Sequence, residues 1–574
     1  MSLQSQIVDE VTTKLTDFQS KLSGHLREQD ARWDMYDAIP YIQRRDKESE
    51  NMAKASTSTT SEAVETITHT LYTMLTAADP NFELVSVTGQ ISESALFKNT
   101  QFLKLQMQKI NYKRKLLKLL RSLTLNGTAF VYQPWVSWPY GDPDPAWESC
   151  DFVPLALNQV FWSHTAADLE KSDYFGMTDI VSPGHLRVLS GADEEGAVWI
   201  RENIDLAIKE SGDKETFNEE VKMRLTKLGY SDFSKHWEYI AYWGKLEAIG
   251  DNNDYVVGIV NRKYLVRFHA SPYPNGVFPI RPVRYLEVDN DPLGRGIGHQ
   301  LKYPQRLINS NLNRTMDAIT FGLFNMMIGS KYNGIDTRKM RPRPWLYLEA
   351  EDPNSIVQMK PDLQSAAMGL KLHELLLDQA RNDTGATSTL QAVITEASAS
   401  EVRIAQNNSI RRASNVAEVI GESLIRDTVW FMNLNNFMFV DAPVWLRDTG
   451  SPKPLMLYPS EISKNVDPTP RIITDKDFAP QAVKNSLQLL QIITSVRNMI
   501  PGDVDVRPII ASIIRRQGED PAKVFTGQAP PPNLAALQTA SGQGGVNRAL
   551  ADRTSPPTPQ EQFINAQAGL NVLG

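Results

Sequence analysis

The chain has 574 residues, with 60 Lys+Arg against 67 Asp+Glu, eight His, one Cys and a formal net charge of −7. That length exceeds one ordinary domain and predicts about three or four, while 41% hydrophobic and 22% charged residues are ordinary globular usage. The single Cys150 excludes an intrachain disulfide and a multi-Cys zinc or iron–sulfur site, and the mild acidity excludes a globally basic nucleic-acid binder.

The same counts point to a reducing compartment. MSLQSQIVDEV has no basic segment followed by an apolar one, so no signal peptide is expected. The longest nearly apolar run, around Ile319 to Ile328, is about half of what a membrane span needs. The expectation is a large, soluble, intracellular protein of several parts with no membrane contact.

Ile7, Val11, Leu15, Phe18, Leu22 and Leu26 are three or four apart, which predicts an amphipathic helix over 3–30. It suits either docking on a neighbouring subunit or packing on its own domain. Trp33, Tyr36 and Tyr41 follow at helical spacing. The Ser/Thr-rich stretch 56–61 suits a turn or a helix N-cap. Ala63, Ile67, Leu71 and Leu75 then continue a helix until Asp79-Pro80, and FELVSV alternates like a strand.

A second helical block is expected over 92–125. It carries Lys109, Lys113, Arg114, Lys115, Lys118 and Arg121, the most basic stretch, interleaved with leucines. This is either a nucleic-acid patch or a solvated helix face. Asn126-Gly127 ends it, and TAFVYQPWV reads as a strand. Residues 135–147, rich in Trp and Pro, read as an aromatic loop. Strands are expected at FVPLAL, YIAYWGKL, YVVGIV and KYLVRFHA, with an exposed helical insertion over 201–236. No repeat of 20–50 residues is present.

PVRYLEV reads as a strand and DNDPLGRGIG as a Gly-rich turn. A helix of about thirty residues follows, striped by Leu301, Ile308, Leu312, Met316, Ile319, Leu323 and Met327. RPRP breaks it. WLYLEA and SIVQMK read as two short strands, 364–382 as a helix, and TGATSTLQA as a small polar loop. A long helix is expected over 399–439, then β segments at WLRDTG, PLMLYPSEI and RIIT, and helices at 480–499 and 509–516. Residues 526–574 are Pro/Gly-rich with one aromatic and read as an extended tail.

The chain lacks G-x-x-x-x-G-K-[ST], H-E-x-x-H and G-x-S-x-G. The His residues are scattered. One cofactor-like pattern remains, Gly294-Arg-Gly296-Ile-Gly298 between a strand and a helix. Its third glycine comes one residue early for a dinucleotide fingerprint. It is either a nucleotide-binding turn or a strain-free strand-to-helix joint. No catalytic residue, cofactor or metal ligand is expected.

The order of parts resembles the portal, or head–tail connector, proteins of tailed bacteriophages, podovirus-like in size. The segments that carry the resemblance are LGRGIGHQLKYPQRLINSNLNRTMDA (293–318), RPRPWLYLEAEDPNSIVQMKP (341–361) and TEASASEVRIAQNNSIRRASNVAEVIGESLI (395–425). RWDMYDAIPYIQ and AADPNFELVSV are also similar to portal openings. The 201–236 insertion and the tail after 525 depart from the pattern.

The resemblance implies an α+β, predominantly helical portal-type fold with wing, stem, clip and crown, assembled as a ring. In that scheme 1–298 is the wing, 299–328 the first stem helix, 329–361 the clip and 362–383 the second stem helix. Residues 384–396 are the tunnel loop, 397–470 the long wing helix and returning β segments, and 471–525 the crown; 526–574 remains a tail. It further implies a ring of twelve copies at the virion capsid vertex, assembled in the host cytoplasm. Partners would be double-stranded DNA, terminase, tail adaptors, and the major capsid and scaffold proteins. Lys371, Arg381, Thr387, Ser388, Thr389 and Gln391 would face DNA. Arg341, Arg343, Trp345 and Tyr347 would meet adaptors. Another virion structural protein is the third alternative. An acidic ring with few local cations would let DNA slide without sticking.

Overall fold

The computed structural model describes residues 2–40, 53–87, 89, 91–138, 147–163, 168–191, 198–210, 237–289, 291–323, 327–329, 356–358, 363–386, 412–446 and 455–472. All lie in one compact unit, Met1–Gln488, whereas the second unit, Leu489–Gly574, lies outside the described residues. Among the described residues the structure is mixed helix and strand, with helix at 55% outweighing strand at 21%. Among the described residues no helix is long and apolar enough to cross a membrane.

Ser2 opens helix α1 (Leu3–Tyr36) by accepting from the Ser5 amide at 3.3 Å. Its stripe of Ile7, Val11, Leu15 and Phe18 is buried in this chain's own sheet core, with Phe18 edge-on to Trp162 at 4.5 Å. Of the two uses open to this helix, its apolar face serves its own chain. Polar contacts fix the seat. Glu10 accepts from the Glu247 and Ala248 amides at 3.1 and 3.0 Å, and Lys14 reaches the Tyr242 hydroxyl at 3.1 Å.

That sheet is an antiparallel meander of five strands: β6 (Val160–Trp162), β7 (Tyr174–Val181), β8 (Trp237–Gly244), β9 (Tyr255–Val260) and β10 (Tyr264–Ala270). Strand β8 is buried along its whole length. The sequence reading missed β6 and β7, which complete the meander. Helix α5 (Pro183–Gly191) and helix α6 (Arg201–Glu210) follow β7. Ile204 and Ala207 of α6 are buried, so the first ten residues of the expected exposed insertion join this core instead. Residues 211–236 lie outside the described residues.

A second core is mainly helical. Helix α2 (Thr59–Thr76) buries Ala63, Ile67, Leu71 and Leu75, the predicted stripe. The block expected as one helix over 92–125 is two, α3 (Glu93–Lys109) and α4 (Tyr112–Asn126). The break is at Asn111, whose φ of +56° is left-handed, a conformation that Asn tolerates because its side chain is short and polar. Strand β1 (Phe82–Ser86) pairs with the late strand β16 (Val466–Pro470), Phe82 opposite Pro470. Among the described residues the last β segment is therefore 466–470, one step before the expected RIIT, of which 473–474 lie outside them. Strand β2 (Thr128–Tyr132) lies between β5 (Val153–Leu155) and β11 (Ile280–Arg284). The ladder of β11 stops short of the expected 282–288 because its partner runs out: Arg284 lies opposite Thr128, the Tyr285 amide makes one more bond in register to the Gly127 carbonyl at 2.9 Å, and Gly127 is already the end of α4.

The expected aromatic loop is partly sheet. Strands β3 (Trp135–Trp138) and β4 (Trp147–Cys150) pair antiparallel, and the Trp135 ring packs 5.3 Å from Phe439. Near the chain's far end, 412–420 is helical, Gly421–Arg426 is a π-helical turn, and helix α9 (Asp427–Phe439) completes the run. Strands β14 (Val444–Leu446) and β15 (Leu455–Leu457) pair after it. Residues 399–411 of the expected long helix lie outside the described residues.

Helix α9 is locked to α3 by buried amides. Gln106 and Asn436 exchange two hydrogen bonds, at 2.7 and 2.9 Å. The Asn99 amide donates to Asn433 at 2.7 Å, and the Tyr273 hydroxyl to Asn435 at 3.0 Å. Such pairs, spanning some 330 positions, explain why the expected three or four domains do not separate within Met1–Gln488. N- and C-terminal elements share one interior.

Candidate functional site

The resemblance places function on a helical hairpin. The chain builds it from helix α7 (Ile297–Leu323), strand β12 (Met327–Gly329), strand β13 (Ile356–Gln358) and helix α8 (Leu363–Thr384). The expected first stem helix, 299–328, thus stops at Leu323, and 327–329 is strand. Met327 pairs with Gln358 and Gly329 with Ile356. Of the expected strand SIVQMK, Ile356–Gln358 is strand, while the rest of it and WLYLEA lie outside the described residues. The helix expected over 362–383 spans Leu363–Thr384.

The root of the hairpin is the glycine run. Gly127 closes α4 with φ +83° and its amide bonds Leu123 at 2.7 Å. The run packs directly on that turn. A Cβ on Gly296 would stand 2.5 Å from the Gly127 nitrogen and the Thr124 oxygen, and 2.8 Å from the Leu125 oxygen. The amides a phosphate would need are also engaged. Gly294 donates to Thr128 Oγ1 at 2.8 Å, Arg295 to the Leu286 carbonyl at 2.8 Å, and Gly296 to His299 Nδ1 at 3.2 Å. These glycines serve a backbone-to-backbone joint, and three of the amides that a phosphate could use there are already bonded within the chain.

Beside the joint, Arg32 of α1 is almost fully buried. Its Nε donates to Asn126 at 3.2 Å and its Nη1 lies 3.0 Å from His299 Nε2. Burial, and then the Arg32 charge, pushes the His299 pKa from 6.5 down to about 4. Donors face both ring nitrogens, so an added proton finds no acceptor. The unfolded chain therefore binds this proton more readily than the folded one. Stability from this site should be complete above pH 6.5 and drain away as pH falls toward 4. After discounting for solvent screening the loss is about 1–2 kcal/mol. Thermal melts between pH 7 and 4 check this: His299→Gln should flatten the acid limb.

Above the root, α7 carries an unforeseen polar ladder. Gln305, Asn309, Asn313 and Asp317 stand four apart, on one line of the helix. Each side-chain oxygen accepts one backbone amide: Thr60 in the first turn of α2 at 3.0 Å, then Thr57 at 3.0 Å, Ala55 at 2.7 Å and Ala53 at 2.8 Å in the segment before it. Asn313 also donates back to the Ala55 carbonyl at 3.2 Å. Residues 53–57 are thereby zipped along α7. The signal was present as Q-x3-N-x3-N-x3-D, but a search for apolar stripes passes over it.

Helix α8 lies close on α7 where Gly369 meets Thr315, with Asn311 donating to the Gly369 carbonyl at 2.9 Å. Much of α8 nonetheless faces out. Met368 is 72% and Leu375 63% exposed, and Leu372 is also exposed. Their i, i+4, i+7 spacing makes one bare apolar stripe. Tyr303 and Leu307 of α7 are exposed as well.

Of the expected DNA-facing residues, Lys371 is exposed on α8. Arg381 is engaged with Glu62 of α2 at 3.0 Å and with Asp378 at 3.7 Å, so carboxylates offset its charge. Thr387, Ser388, Thr389 and Gln391 lie outside the described residues, as do Arg341, Arg343, Trp345 and Tyr347. The basic block is partly neutralised too, with Lys115 on Asp151 and Arg121 on Glu65. Compared with known proteins, the chain matches no family model and no curated protein.

Proposed function

We propose that the chain is one subunit of a homo-oligomeric ring of the phage portal kind, a conduit for double-stranded DNA in packaging and ejection. The observation that carries the ring is the α8 stripe of Met368, Leu372 and Leu375, left bare on a helix already packed on its other side. A monomer gains nothing by exposing a continuous apolar helix face, whereas a neighbouring copy of the same hairpin would bury it. The DNA role rests on the resemblance of 293–318, 341–361 and 395–425 to portal segments. In this reading α7 and α8 are the stem, 329–361 meets tail adaptors, and 384–396 faces DNA. Terminase docks during packaging, and scaffold and major capsid protein surround the ring at the vertex. Lys371 offers a shallow attraction to phosphate; Arg381 instead ties the stem to α2.

Mass photometry and negative-stain microscopy of the purified full chain test the reading. Annular particles with a central hole are expected; monomers and dimers alone at micromolar concentration overturn it. Leu375→Asp should lower the ring fraction about tenfold or more, since a charge then sits in the contact. The thermal midpoint of the free subunit should barely change, because the position is exposed.

A further inference from the structure

Away from the hairpin, a cavity of about 380 Å³ lies between the end of α2 and the α3–α4 corner. A pocket of this size falls among small-molecule sites. Its apolar walls are Ala78, Pro80, Phe82 and Met107, and its cations are Lys104, Lys113 and Arg114. Lys104 is matched by Asp79 at 3.1 Å. Lys113 and Arg114 form no ion pair among the described residues.

Tyr112 contributes the least obvious wall. Only 4% of it is exposed, and its ring stands edge-on to Phe152 at 5.0 Å. Apart from the Asn81 carboxamide, its hydroxyl finds no partner among the described residues. The Asn81 carboxamide, which lines the same cavity, is beside it. Burial raises the hydroxyl's pKa, so it keeps its proton. A buried donor without an acceptor costs about 1–3 kcal/mol unless something supplies one.

The start of α4 adds to this. The left-handed turn at Asn111 aims the chain afresh, and the first helical bonds run from the Arg114 and Lys115 amides to the Asn111 carbonyl. The Tyr112 and Lys113 amides precede them, at the positive end of a 15-residue helix.

We propose that this cavity binds a small organic anion, a single carboxylate or phosphate on an apolar body of phenyl size. The anionic end meets Lys113, Arg114 and the start of α4, and the Tyr112 hydroxyl beside Asn81 gains an acceptor. The body packs against the apolar wall of Pro80 and Met107. About 150 Å³ suffices for benzene, so the cavity has room for a ring and its anionic group. A bare ion would leave the apolar walls wet, and a neutral ring would leave the cations unmatched.

Calorimetric titration of the full-length protein tests this with phenyl phosphate, inorganic phosphate and benzyl alcohol. Phenyl phosphate should bind at least about tenfold more tightly than either of the others. The double variant Lys113→Ala/Arg114→Ala should lose about tenfold, and Tyr112→Phe several-fold. Lys113 and Arg114 are exposed, so the double variant keeps its thermal midpoint and the result reads binding alone. Equal affinity for inorganic phosphate, unchanged affinity in the double variant, or no heat at about 10 mM probe would each overturn the proposal.

Discussion

Gly296→Ala should cost the folded chain about 3 kcal/mol or more, or prevent folding outright. The added methyl would stand 2.5 Å from two backbone atoms of the α4 turn and 2.8 Å from a third. Backbone atoms cannot rotate aside, so the helix end or the strand-to-helix turn must move, and both are anchored. Gly184→Ala provides the contrast. Its new methyl meets nothing within 4 Å, and it sits in α5, so stability should hold or rise by about 0.5 kcal/mol. Thermal melts of the two variants against the parent decide the matter. If Gly296→Ala melts with the parent, the glycine run is not a packed joint and a ligand role for its amides reopens.

Gln106→Leu and Asn436→Leu should each destabilise by about 2–4 kcal/mol, while the double variant recovers most of the loss. Each single change strands the other amide in a dry interior where it has no partner. Removing both leaves two apolar groups in contact. A coupling of about 1–3 kcal/mol is therefore expected from the double-mutant cycle. Strictly additive losses would mean that water reaches the pair, and that α9 and α3 are not held together by it.

The hairpin shows how far local pattern carries. The α7 and α8 spans were legible because apolar residues recur at helical spacing and Pro and Gly mark the ends; α8 was found within a residue or two at either end. The end of α7 was not legible. Met327 continues the helical stripe, yet the chain leaves the helix and pairs with 356–358, a partner some thirty residues away. The same limit hid β6 and β7, whose pairing is settled across the sheet rather than along the chain. The α3–α4 break was missed because Asn111 alone carries it, and one residue leaves no periodicity.

Among candidate site residues, spacing found Lys371 and Arg381 on one helix but could not pair Arg381 with Glu62, 319 positions away. Nor could it tell that the glycines at 294–298 face another backbone.

By itself the sequence determined the helix stripes, the absence of an intrachain disulfide or a multi-Cys metal centre within the chain, and the order of segments that resembles a portal. Those follow from residue counts and from periods of two and 3.6, which are local. Only the tertiary structure decided that the glycine run is filled by Gly127, that Arg381 is neutralised, and that Met368, Leu372 and Leu375 stay bare. Each depends on which distant residue arrives opposite, and the net charge of −7 gives no guide to where single cations find their carboxylates.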